Sequence, residues 1–277
     1  MTSEHVAAVA KVFDSLAGDY DRMGFDFFVP LAQGLVDALD PRPGEVCADL
    51  GCGPGTASVL LARRVVPDGK VVGLDVSAAM IDRARSECGA GEASHDTLTF
   101  VQGDAQQPDL PERSHDLVAS ALVLFFLPDP QAALSHWVRL LKPGGRLGVS
   151  TFGPAGEGWN ALSALLHRWM PAADPKAAEV SSLFGSDEQL ERALQHAGAT
   201  TVSTSHRRIS LPFDGVPAWE RFSRSVGQRA AWMRLSRDDL SEVRSAAEQV
   251  LAQHGPDAYW QDVRYTIGHR PPASTDN

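Results

Sequence analysis

The chain has 277 residues, of which 35 are acidic and 25 basic, giving a formal net charge of −10, and 43% are hydrophobic. That balance argues against a protein that tracks a phosphate backbone, where Lys and Arg must displace counterions, and the length is enough to bury a substantial core without disulfides or a structural metal. Cys47, Cys52 and Cys88 form neither a metal-ligand spacing nor a disulfide framework, so a reducing, cytoplasmic setting is expected, with no metal and no nucleic-acid or membrane partner.

In chain order, Val6, Val9, Phe13 and Leu16 recur at spacings of three and four and predict an amphipathic helix. Phe28, Leu31, Leu35 and Leu39 predict a second, stopped by Pro41, Pro43 and Gly44. Residues 1–44 are read as a helical lid segment. From 45 to 152 short β-branched runs alternate with helical stretches, and strands are expected at 46–50, 70–76, 98–101, 116–122 and 146–152. Such alternation implies right-handed crossovers and a parallel sheet covered on both faces. A helix over 187–197 and β-prone runs at 201–211 and 263–269 extend the same core through 185–212 and 258–270. Two helical, Trp-bearing stretches, 156–180 and 213–255, break the alternation and are read as cap insertions spanning 153–184 and 213–257. The tail, 271–277, is expected to be disordered. The fold class is therefore α/β: a Rossmann-like, seven-stranded, mostly parallel sheet with helices on both faces and a helical cap. No 20-residue apolar run predicts a membrane span, and no signal peptide is expected.

The most informative stretch runs from strand 46–50 through Gly51, Gly53 and Gly55 into a helix. At the carboxyl edge of a parallel sheet such a turn lets backbone approach a ligand closely. Asp75 ends the second strand, where a carboxylate can accept hydrogen bonds from ribose hydroxyls; Ser77 is available to cap the next helix. Asp104 ends the third, placed to accept from an adenine amino group. A dinucleotide fold expects G-x-G-x-x-G, whereas these glycines follow G-x-G-x-G with Asp49 just ahead. A carboxylate there opposes a pyrophosphate but suits an ammonium, which favours S-adenosylmethionine over NAD.

At these residues the sequence resembles the class I S-adenosylmethionine-dependent methyltransferases, over most of the chain. Asp-Leu-Gly-Cys-Gly-Pro-Gly at 49–55, Asp75, Gly-Asp-Ala at 103–105 and Leu-Lys-Pro-Gly-Gly-Arg at 141–146 carry the resemblance. Residues 13–21 further resemble the ubiquinone and menaquinone biosynthesis-like subgroup, which implies that Phe13 and Tyr20 fold over the methionine end of the cofactor. Val76, Met80, Ala105, Ser120, Ala121 and Phe125 complete the cofactor contacts the resemblance implies. In the family the loop after the fourth strand often carries a histidine pair, and here it reads Phe125-Phe126-Leu127-Pro128-Asp129. Two phenylalanines cannot act as a general base, so base-assisted O-methylation from this position is in doubt.

Methyl transfer is an in-line displacement that positioning alone can accelerate when the acceptor is an enolate, phenolate, amine or electron-rich ring. Phe28, Trp159 and Trp232 are candidate substrate contacts, and aromatic faces there would suit a largely apolar acceptor and a sulfonium. The catalytic residue is left open, with His167 the candidate base; His136, the pair Arg207-Arg208 and Cys52 are read as solvated, surface and packing residues. The expected activity is methylation of carbon, oxygen or nitrogen on a small, largely apolar metabolite, of the kind made in secondary metabolism. The alternative is a protein that uses the bound cofactor structurally, as a non-methylating cyclase or a sensor. A homodimer is compatible with the sequence.

Overall fold

The computed structural model describes residues 2–18, 20–21, 24–88, 96–170, 183–225 and 228–273. Helices α1 (Thr2–Leu16) and α2 (Phe28–Leu39) precede the alternating unit β1 (Val46–Leu50), α3 (Thr56–Val65), β2 (Lys70–Asp75), α4 (Ala78–Cys88), β3 (Leu98–Gln102), β4 (His115–Ala121), α5 (Pro130–Leu140) and β5 (Leu141–Ala155). Then follow α6 (Glu157–Ala164), α7 (Asp187–His196), β6 (Thr200–Ser210), α8 (Val216–Ser225), α9 (Arg229–Trp232), α10 (Arg237–Gln253) and β7 (Trp260–His269).

The seven strands lie in the order β3-β2-β1-β4-β5-β7-β6. β7 runs antiparallel between β5 and β6, and the other pairings are parallel. The order turns back between β1 and β4, which opens a crevice at their carboxyl ends, the place where ligands bind open α/β sheets. Helices α2, α3 and α4 pack one face through Leu31, Leu35, Leu61 and Ile81. Helices α5 and α7 cover the other through Leu134, Trp137, Leu190 and Leu194. Of the apolar positions that set the period of α2 in the sequence, Leu31, Leu35 and Leu39 are buried, and Phe28 is partly exposed at the second cavity of the crevice.

Three boundaries depart from the pattern for physical reasons. β5 begins at Leu141, paired to His115, then bulges through Gly144 (φ 78°) before Arg146 meets Leu117. It continues to Ala155, opposite Gln261 of β7. β7 starts at Trp260 rather than 263, because Gln261, Asp262 and Arg264 are polar strand residues whose partners lie elsewhere in the fold. Arg264 is buried yet donates to Asp187 and to the carbonyls of Phe152, Phe184 and Gly185.

The cap is one apolar cluster continuous with the sheet core: Leu162, Leu166, Trp219, Phe222, Trp232, Val243 and Ala247 join Phe27 and Tyr259. Residues 171–182 of the first expected insertion, and 274–277 of the expected tail, lie outside the described residues. No described helix is long and apolar enough to cross a membrane.

The Leu-Pro-Asp stretch after β4 proves to be a helix start. Asp129 caps α5 by accepting from the Ala132 amide at 2.9 Å, with Pro130 in the first turn. Asp129→Ala should cost about 1 kcal/mol of unfolding free energy, measured as a shift of the urea midpoint at unchanged slope.

Candidate active site

The β1–α3 turn is held by backbone first. The amides of Gly51 and Cys52 both donate to the Leu74 carbonyl, at 2.7 and 2.9 Å, so the loop is stitched to β2. Its three glycines all have positive φ but serve different ends. A Cβ on Gly51 would overlap Val123, and one on Gly55 would stand 2.7 Å from the Phe100 ring, whereas one on Gly53 would meet nothing within 4 Å. Gly51 and Gly55 permit close packing, and Gly53 opens onto the cleft.

Two carboxylates sit on either side of this loop. Asp75 at the end of β2 accepts from the Gly53 amide at 2.8 Å and the Ser77 amide at 2.9 Å. Asp49, 1% exposed, accepts from the Ser58 hydroxyl at 2.6 Å through Oδ2, while its Oδ1 is buried with no partner. Burial pushes the Asp49 carboxyl up to about 6, reinforced by the charge of Asp75; burial likewise raises Asp75 against the pull of its two amide donors. A desolvated carboxylate with an unmet acceptor is a ready partner for a cation.

The crevice holds two adjoining cavities. The first is walled by Asp75, Val76, Met80, Asp104 and Ala105 on the sheet side and by Phe13 and Tyr20 on the other. The second contains Asp49 and Phe28. Tyr20, Gly51, Gly53, Ala121 and Leu122 line both, so the site is elongated, with Asp75 and Asp104 toward one end, Asp49 toward the other and a shared waist.

The remaining residues singled out from sequence fall elsewhere. Gly55 packs on Phe100 and lines neither cavity. Ser120 is buried beneath the wall, its hydroxyl donating to the Leu50 carbonyl. Phe125 stands behind Phe126, which takes the wall position instead. Trp159 packs on Phe222 and Phe213 inside the cap. Trp232 is 3% exposed, packs on Trp219 and donates its indole N–H to Ser223, so it is cap core rather than pocket lining. His167 is exposed in a separate groove against Glu242 and Val243, which removes it as a base for this cleft.

Some wall residues were not singled out from sequence as site residues, although Val6 and Val9 were read as part of the apolar face of a helix. His5, Val6 and Val9 of α1 line the first cavity, and His5 Nε2 lies 2.9 Å from the Phe126 carbonyl. Asp14 of the same helix accepts from the Ser77 hydroxyl at 2.6 Å and the Ala79 amide at 3.1 Å, which fastens α1 to the start of α4. Arg83 adds a second tie, donating to the Ala17 carbonyl and to both oxygens of Asp21. The spacing of α1 announced the helix and its apolar face; what that face covers depends on contacts made across the fold.

A mostly parallel sheet with its order reversal at a glycine loop, three carboxylates and an apolar wall defines a Rossmann-like nucleoside-cofactor enzyme. Residues 48–149 match the family described as Methyltransferase domain. The chain is 32% identical over 278 residues to nocamycin O-methyltransferase of Saccharothrix syringae, covering 95% of this chain and 98% of that protein. It is 36% identical over 149 residues to aklanonic acid methyltransferase DauC of Streptomyces sp. (strain C5), covering 54% of this chain and 67% of that one. Among solved structures the cyclase SpnF aligns with a TM-score of 0.60 at 17% identity over 96% of each chain, a likeness of fold alone. The chain belongs to the class I S-adenosylmethionine-dependent methyltransferases, and its substrate is a small metabolite.

The donor set fits that cofactor. The orphaned Oδ1 of Asp49 offers an acceptor to an ammonium, and Gly53 leaves room at the waist. Asp75 keeps acceptor capacity beyond its two amide bonds, since each carboxylate oxygen has two lone pairs.

Proposed function

We propose that the protein transfers the methyl group of S-adenosylmethionine to an oxygen of a largely apolar, polyketide-like metabolite. The observation that carries this reading is the end-to-end similarity to nocamycin O-methyltransferase, 98% of whose length is matched. Asp49 holds the amino group of the methionine moiety, Asp75 the ribose hydroxyls and Asp104 the adenine amino group, with Val76, Met80 and Ala105 packing the adenosine. Bound, the cofactor supplies an electrophilic methyl on a sulfonium. The chain's part is then to orient and to exclude water. Tyr20 at the waist and Phe13 beside it in the first cavity present aromatic rings, which favour a cation there. Phe125 and Phe126 occupy the loop where relatives often place histidines, so the acceptor oxygen reacts as a phenolate or enolate rather than through a base in that loop.

Calorimetric titration with S-adenosylmethionine and with S-adenosylhomocysteine tests the cofactor half: both should bind with dissociation constants on the order of micromolar, about −8 kcal/mol. Mass spectrometry of incubations with polyphenolic and enolic ketides tests the transfer, with the gain of one methyl group expected. Tight binding of both ligands without any methylated product across such a panel would instead support structural use of the cofactor.

A further inference from the structure

Seven aromatic side chains from four separate segments form a closed circuit over the waist of the site. Phe13 of α1 meets Phe126 at 5.1 Å between ring centroids, Phe126 meets Phe125 at 4.7 Å, and Phe125 meets Phe152 at the end of β5 at 5.9 Å. The circuit returns from Phe152 to Phe27 at 6.5 Å, Phe27 to Phe28 at 5.3 Å, Phe28 to Tyr20 at 4.7 Å, and Tyr20 to Phe13 at 6.1 Å. All seven are described residues: Phe13, Tyr20, Phe28 and Phe126 line the two cavities, and Phe27, 2% exposed in the core, Phe125 and Phe152 back them from behind. Phe13, Tyr20, Phe28 and Phe126 reach down to the two cavities, where Leu122 and Ala121 form the floor. On the outer side Phe126 and Phe152 are 38% and 37% exposed, which places large apolar rings in water on the same circuit.

We infer that this aromatic collar is the acceptor's binding site and that it selects a flat, conjugated ring system, passing its reacting oxygen down to the waist. The inference deepens the methyltransfer reading and rests on it. Three features fix the class of ligand. The collar carries no ionisable group apart from the Tyr20 phenol, so a charged body would be desolvated without a partner. Its walls are ring faces and edges, which stack on a planar π system and meet a puckered saturated ring only by dispersion. Phe126 and Phe152 remain partly wetted, and covering them recovers apolar area that a saturated ring of the same size would cover too. Planarity, rather than hydrophobicity alone, is therefore what the collar reads.

Phe152 is the residue to change, because it belongs to the collar, is exposed enough to be replaced without emptying the core, and lines neither cofactor cavity. With the protein saturated by S-adenosylhomocysteine, naphthol should bind about tenfold more tightly than decahydronaphthol, its saturated counterpart. Phe152→Leu should shrink that preference to about threefold or less, Phe152→Trp should keep it, and neither should alter the affinity for S-adenosylhomocysteine. Equal affinity for the two probes in the wild-type protein, or an unchanged preference in Phe152→Leu, overturns the collar while leaving the cofactor site standing. Failure of S-adenosylhomocysteine itself to bind overturns the methyltransfer reading, and the collar with it.

Discussion

Asp75→Ala is expected to weaken binding of S-adenosylmethionine and S-adenosylhomocysteine by about a hundredfold or more, the worth of two charge-assisted hydrogen bonds. The effect exceeds the loss of ribose contacts alone because the carboxylate has a second task. Its two oxygens already hold the Gly53 and Ser77 amides, one in the glycine loop and one at the start of α4. Deleting the side chain strands both donors and releases Gly53 from its positive-φ position at the waist. Asp75→Asn should fall between, since an amide keeps one acceptor oxygen but turns an NH₂ toward one of the two N–H groups. The two contributions separate by measurement: calorimetry reports affinity, and amide exchange over residues 51–55 in the ligand-free protein reports loop order. An alanine variant with wild-type affinity would remove Asp75 from the site.

Much of this arrangement was legible in the sequence, and the missing parts share a cause. The helix at Phe28–Leu39 and the strand at Val46–Leu50 stand where periodicity put them, since each buries its own apolar positions. Asp49, Asp75 and Asp104 were readable because a residue at a strand's carboxyl end faces the crevice whatever the rest of the chain does. Contacts that depend on two distant segments were not readable. Which glycine opens onto the cleft is decided by Val123 and Phe100, far along the chain. Phe126 rather than Phe125 reaches the wall because a single 3₁₀ turn at Leu124–Phe126 sets the phase, and three residues carry no periodic signal. The tryptophans suggested a pocket, but Trp219 and Trp232 spend their surface on each other inside the cap. Likewise, nothing in the spacing of α1 announced that Asp14 would reach Ser77, 63 positions away.

The same burial that readies Asp49 for a cation makes it a liability in the ligand-free protein, which leads to a prediction of opposite signs. A carboxyl whose ordinary value is 3.8 and which stands at about 6 in the fold destabilises the native state above that pH by about 3 kcal/mol. The native protein binds more protons than the unfolded chain between those two values, so this contribution to stability improves as pH falls from above 6 toward 4. Asp49→Asn removes the buried charge while leaving an oxygen for Ser58, and should raise the stability of the ligand-free protein at pH 8 by up to about 3 kcal/mol. The gain should be small by pH 4 and vanish only about a pH unit below the ordinary value of 3.8, where the wild-type carboxyl is protonated in both states. Cofactor affinity should move the other way, weakening about a hundredfold at pH 8 as the ammonium loses its counter-charge. For the wild-type protein the dissociation constant should climb by up to about tenfold per pH unit below 6, because binding must then expel a proton, whereas in Asp49→Asn that slope should disappear. Thermal melts and calorimetry across this pH range read both effects. A variant that is both less stable and as tight a binder as wild type would show that Asp49 braces the loop through Ser58 and does nothing for the cation.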